Sequence, residues 1–200
     1  MSTTNTKADN KITYGLCNVH YAKITGIEDD GTVTYGTPVA IPGGVEISLD
    51  ARGDLIEFYA DNMVYYSSDN NQGYEGTLKV ANVPISFSKD ILGEVEDDTD
   101  KVVHEVANAK TSSFALMFQF EGDIKEVRHL LYNCTVSRPT IASATKTNSV
   151  DPNTVELSIV ANPREGDKRV KTKTTTNTPD AIYNACLLYT SDAADDGESV

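Results

Sequence analysis

The sequence predicts a mainly β protein, a β-sandwich or barrel with long hairpins and one flanking α-helix at about residues 84–92. Three observations carry this. About ten short runs show the period-two alternation of half-buried strands, turn residues punctuate them at short intervals, and a single segment has helix start and stop signals.

The elements follow in order. Residues 1–11 (MSTTNTKADNK) are polar and read as a flexible arm. Residues 16–25 form a strand with Val19, Tyr21 and Lys23 on one face, and Glu28-Asp29-Asp30-Gly31 is a hairpin turn whose return strand is 32–35. Pro42-Gly43-Gly44 turns the chain into a strand where Val45, Ile47 and Leu49 alternate with Glu46, Ser48 and Asp50. Residues 54–60 and 63–67 are two more β-rich runs joined at Asp61-Asn62, and 74–83 is the next strand after a polar loop. Pro84 suits the first helical turn, Ile85, Phe87 or Ser88, and Ile91-Leu92 share a face, and Gly93 suits the stop. A charged loop (94–100) and a short strand (102–107) follow.

Residues 114–121 (FALMFQFE) and 124–135 (IKEVRHLLYNCT) read as a hairpin closed by a two-residue Gly122-Asp123 turn. Phe114, Leu116, Phe118 and Phe120 line one face of it and anchor the core. Residues 149–153 read as a loop, 154–161 as a strand, and 163–167 as a turn into a last strand at 169–175.

The tail of the chain is treated separately. Residues 186–200 read CLLYTSDAADDGESV, and the first eleven are the translation, in one frame, of the end of a widely used transposase sequencing adapter. They are expected to be a read-through scar rather than native protein, leaving one domain over 12–185 with its own C-terminus truncated. Asp192, Asp195, Asp196 and Glu198 belong to that scar, which has no Lys or Arg, so the net charge of −13 becomes −9 without it.

Composition excludes several classes. No run approaches the roughly 20 apolar residues of a membrane span. The polar N-terminus has no signal-peptide core, which points to an intracellular origin. The acidic balance argues against a tight phosphate-binding surface. Cys17 and Cys134, the cysteines outside the scar, have no metal or redox spacing and read as buried apolar fillers.

No catalytic frame or cofactor site is present. His20, His104 and His129 lie apart, without zinc-binding spacing. Glu94, Glu96, Asp97, Asp98 and Asp100 form an acidic run without the glycine a calcium loop requires at its bend, and read as a solvated loop. Arg164, Lys168, Arg169, Lys171 and Lys173 make the only basic stretch. With no aromatic interleaved it reads as a charged strand, one able to pair with acidic groups of a neighbouring subunit. No nucleophile elbow and no phosphate loop occur. The chain is expected to be neither an enzyme nor a metal or cofactor carrier.

The ordered set ITYGLCNVHYA, GTVTYGTPVAIPGGVEISLDARGD, FYADNMVYY, VPISFSKDILGEV, FALMFQFEGDIKEVRHLLYNCTVSRP and VELSIVANPREGDKRVK resembles the major tail proteins of long-tailed, non-contractile bacteriophages, in particular the phi13-type group. The resemblance spans 12–185. It implies a tail tube protein: a β-sandwich flanked by a helix, closing into hexameric rings that stack into a tube for genome delivery, with long hairpins lining the lumen. It also implies a virion location in the tail, with assembly in the host cytoplasm or expression from a prophage. The implied partners are other copies of the chain, a tape measure protein inside the tube, and tail terminator and tip proteins. DNA would pass without sticking, and no membrane is involved. Asp54, Glu57 and Asp61 are the candidate lumen-facing carboxylates. The competing reading is a monomeric β-sandwich that binds a glycan or receptor, for which the chain, lacking Trp and with its tyrosines inside strand runs, offers few aromatic platforms.

Overall fold

The computed structural model describes residues 8–143, 145 and 153–185. The expected adapter-derived tail, most of the N-terminal arm and most of the 149–153 loop lie outside them. The chain is mainly β, with a large antiparallel sheet, and is β-sandwich-like with a helix packed on it.

β1 (Thr13–Ile27) is the longest strand and changes partner along its length. Its first part pairs with β10 (Phe114–Gly122), and its last part pairs with β2 (Val33–Tyr35) through the Glu28–Gly31 turn. β3 (Val39–Ala40) adds to it at His20 and Tyr21. Register shifts around Cys17 coincide with positive φ at Gly15 and Asn18, the signature of bulges that bend a strand. The sheet continues from β10 to β11 (Val127–Val136), β12 (Val155–Asn162), β7 (Gly73–Val80) and β4 (Gly44–Arg52). β13 (Lys171–Lys173) pairs with the start of β11.

This curled sheet nearly meets itself. At Gly44 on β4 a Cβ would lie 2.9 Å from Val19 Cγ2 and 3.3 Å from a Leu16 methyl, both on β1. Only a residue without a side chain lets β4 come so close to β1 without a shift. The Ile41 N–H donates to Val19 O at 2.8 Å, so the chain entering β4 is stitched to β1. β4 itself is the terminal strand of the sheet path.

Two apolar clusters occupy the two faces of the central strands. The larger holds Val19, Tyr21, Leu78, Phe114, Leu116, Phe118, Leu131, Leu157 and Ile159, with Phe120 packed against it. The smaller holds Ala22, Ala115, Met117, Leu130 and Tyr132 under Tyr35. Residues 114–119 are all buried, so β10 is covered on both faces, as a central strand is.

The helix expected at 84–92 starts at Ile85 as one short α turn, α1 (Ile85–Phe87), and continues as a π-helical segment, Ser88–Leu92. Pro84 caps its start, and Gly93, at φ 79°, ends it in the left-handed conformation. Phe87, Ile91 and Leu92 are buried, whereas Ile85, placed on the same face by the sequence reading, is exposed. Phe87 meets Tyr21 and Phe114 edge-on, at 5.0 and 5.5 Å between ring centroids. Tyr21 Oη donates to Asp90 at 2.8 Å, and burial pushes its pKa up to about 12.

Other differences have physical reasons. The β10–β11 connection spans residues 123–126 and is not a two-residue turn. The Ile124 and Lys125 N–H groups both donate to Asn10 Oδ1, so a side chain from the N-terminal arm shapes this loop. The charged 94–100 segment contains β8 (Val95–Glu96), paired with β9 (Val103–His104), which is all that forms of the expected 102–107 strand. The 169–175 strand shrinks to β13. Val45 is exposed, because a register shift between Gly44 and Glu46 breaks the alternation there. An unexpected helix, α2 (Asp180–Ala185), follows β13, with its Tyr183 ring held between Lys125 and Arg128, each 4.2 Å away.

Candidate functional site

β4 and β7 run on past the body of the protein as a two-stranded ribbon of β5 (Leu55–Ala60) and β6 (Met63–Asp69). Asp61 and Asn62 close it, with φ of 52° and 62°; two successive positive φ values make the primed turn that suits a twisted hairpin. At its base Gly53 has φ 134°, and a Cβ there would sit 1.7 Å from Asn70 O, so the strands join at a point that only glycine fits.

Register sorts the ribbon's side chains into two faces, since directly opposed residues share a face. Ile56 with Ser68, Phe58 with Tyr66, and Ala60 with Met63 make a mostly apolar face. Leu55 with Asp69, Glu57 with Ser67, and Tyr59 with Val64 make a mixed, acidic face. Tyr65 is the extra residue at the register shift. Leu55, Ile56, Phe58, Tyr59, Met63, Val64, Tyr65 and Tyr66 are all exposed, Phe58 at 59% and Tyr65 at 70%. At typical side-chain areas these eight leave about 900 Å² in contact with water, shared between the two faces of the ribbon. An isolated two-stranded hairpin is at best marginally stable in water.

The predicted site residues fall in two places. Asp54, Glu57 and Asp61 are exposed at the base, on the acidic face and at the tip of the ribbon. Glu57 accepts a hydrogen bond from Tyr59 Oη at 2.6 Å. Asp69, which the sequence reading passed over, lies on the same face as Glu57. Phe114, Leu116 and Phe118 lie in the main core, and Phe120 lies at its margin. Tyr59, Tyr65 and Tyr66 are more exposed than strand tyrosines are expected to be.

Beside the ribbon's base, β4 and β7 on one side and β10, β11 and β13 on the other leave a gap. A cleft of about 190 Å³ is lined by Ile47, Leu49, Tyr74, Phe120, His129 and Lys171, with Phe118 and Leu131 below. His129 stacks flat on Phe118, with ring centroids 5.0 Å apart. Burial, then Lys173 and Lys171, hold its pKa down at about 4, so the imidazole is neutral at pH 7.

The basic stretch does not form one surface. Arg164 is buried, forks onto Asp167 and lies over the Tyr132 ring at 4.4 Å. Arg169 also pairs with Asp167. Lys171 rests on the Tyr74 ring at 4.3 Å, and Lys171 and Lys173 are both exposed, outside any ion pair among the described residues. The acidic run and β9 bring Asp97, Asp100 and His104 within 4.8 Å of one another at the surface. The Asp97 carboxylate already accepts the Thr99 and Asp100 N–H groups, and such exposed groupings are common in turns. Cys17 is half-buried, contrary to the filler reading, whereas Cys134 is buried, with its thiol pushed up to about 12 by that burial. Among the described residues, no helix is long and apolar enough to cross a membrane.

No protein-family model matches the chain, and no curated protein matches it. Among solved structures it is similar to the tube-terminating cap of the anti-feeding prophage, with 12% identity and a TM-score of 0.48 over 88% of this chain and 100% of that one. It is also similar to a chain of the anti-feeding prophage baseplate, with 9% identity and a TM-score of 0.47 over 86% and 97% of the two chains. A likeness at these identities and scores assigns no role.

Proposed function

We propose that this chain is a non-catalytic structural subunit of a phage tail, which assembles with copies of itself into hexameric rings stacked as a tail tube. The observation that carries the reading is the ribbon. A projecting β-hairpin with about 900 Å² of exposed, largely apolar side-chain surface matches what one partner contributes to a standard protein interface, about 800 Å². It continues directly from β4, whose outer edge ends the sheet. Free sheet edges invite strand pairing, and closed rings of identical subunits satisfy them without leaving a new edge.

The sequence resemblance to phage major tail proteins supplies the ring and tube geometry. It also supplies the proposed partners: the tape measure protein within the tube, and terminator and tip proteins at its ends. The ribbon has four carboxylates and no Lys or Arg, so a lumen lined by its acidic face would repel DNA phosphates and let the genome slide. Glu57 and Asp69, on one face, are better placed for that role than Asp54.

A second reading has one observation in its favour. Tyr59, Tyr65 and Tyr66 are exposed aromatics, which a glycan-binding monomer would require. They lie among exposed Ile, Leu, Met and Phe, a setting that suits protein burial better than sugar stacking. Electron microscopy of the concentrated protein separates the readings. Rings or tubes are expected, and a persistent monomer that binds a glycan array would replace the tube reading.

A further inference from the structure

We infer that the cleft between β4 and β7 on one side and β10, β11 and β13 on the other is a socket for the ribbon of a second copy, with Phe58 as the inserted side chain. This rests on the self-assembly reading and specifies its contact.

The socket has the size and chemistry of an aromatic site. Its volume is about 190 Å³, and an apolar cavity of about 150 Å³ is enough to hold a benzene ring. Its walls, Ile47, Leu49, Phe120 and Tyr74, are apolar or aromatic, and its floor is core. It lies inside the curl of the sheet, where Ile47 and Leu49 of β4 and Tyr74 of β7 face Phe120 of β10 and His129 of β11. Phe58 is the aromatic that the ribbon's apolar face offers without a hydroxyl to satisfy, and Tyr66 opposite it extends the same face.

Charge picks the occupant. Lys171 lines the cleft, and Lys173, two residues along β13, lines the adjoining hollow across His129; both are exposed and outside any ion pair among the described residues. The ribbon carries Asp54, Glu57, Asp61 and Asp69 with no cation between residues 53 and 72. An acidic, apolar-faced hairpin and a lysine-rimmed apolar cleft are complementary surfaces of one chain. They are also different surfaces, so the contact is head-to-tail, the kind that closes a ring or extends a filament.

The test uses two full-length variants, Phe58→Ala and the double variant Lys171→Glu/Lys173→Glu, each changing exposed side chains. Sedimentation is run at a concentration where the unaltered protein is assembled. Each variant alone is expected to weaken association, about 70-fold for Phe58→Ala and roughly tenfold or more for the charge reversal. Mixed, they should form one-to-one dimers that do not grow, since one supplies an intact socket and the other an intact ribbon. If the lysine variant assembles like the unaltered protein, or the mixture stays monomeric, the socket is wrong while the tube reading stands. If the variants behave alike because the unaltered protein never assembles, the self-assembly reading fails first. If phosphatidylcholine vesicles bind the unaltered protein through Phe58 while the lysine variant assembles normally, the ribbon serves a membrane and the socket is again overturned.

Discussion

Replacing Phe58 by alanine separates an assembly residue from a core residue. Phe58 is 59% exposed in the single chain, so its ring still has on the order of 100 Å² of apolar surface to remove from water. At about 25 cal/mol per Å² that is about 2.5 kcal/mol for each contact made, or roughly a 70-fold loss of association. The monomer should hardly notice. The loss there is the cross-strand Phe58–Tyr66 pair, about 0.2–1 kcal/mol. Phe118, at 3% exposure, is the control, and its replacement by alanine should cost the monomer about 3–5 kcal/mol. A dilution series by sedimentation velocity reads the first effect, and thermal unfolding of the dilute protein reads the second. Unchanged association of Phe58→Ala, or a monomer destabilised as much as by Phe118→Ala, would refute the assignment of the ribbon as an assembly element.

Three further outcomes follow from the same geometry. His129 titrates near 4 in the folded chain against an ordinary 6.5, so the unfolded chain binds the proton more readily between these values. Stability should therefore be full above pH 6.5 and fall as pH drops toward 4. The whole shift is worth about 3 kcal/mol, or about 1–2 after allowing for the ring's partial exposure, and His129→Gln should flatten that slope in urea titrations. Arg164→Ala uncovers Tyr132 and strips Asp167 of its fork, which should lower stability by about 2–3 kcal/mol in chemical denaturation; a loss under 0.5 would show that the pairing is incidental. Neutralising Asp54, Glu57 and Asp61 together should weaken tube assembly and slow genome delivery through the tubes that form. If infection and assembly are both normal, these carboxylates have no electrostatic role.

Much of the sheet was legible because its signals are local. The Glu28–Gly31 and Asp61-Asn62 turns and the alternating runs at 16–25 and 154–161 each specify themselves within a few residues. The apolar strand at 114–121 was equally plain. What local pattern could not reveal depended on distant residues. The 123–126 loop is held by Asn10, over a hundred positions earlier. Val45 leaves the core because of a register shift against β7, and α2 is fixed by Lys125 and Arg128 around Tyr183. The ribbon's strands were visible in sequence, but its exposure was not, since Ile56, Phe58 and Tyr66 read like any core strand. Asp69 was missed because the pattern ends the second ribbon strand at 67, whereas the pairing runs on to 69, and the register shift at Tyr65 then sets Asp69 on the face of Glu57. Nor could spacing show that the basic stretch divides into a buried Arg164 and two exposed lysines.

Amide hydrogen exchange on dilute and concentrated protein reads the pairing of the free strand edges itself. Amides on the outer edge of β4 and on the free edges of β5 and β6 should exchange rapidly in the dilute chain. On assembly they should slow by at least tenfold, as backbone groups facing water become paired between subunits. An assembled particle in which these amides exchange as fast as in the lone chain would contradict that pairing.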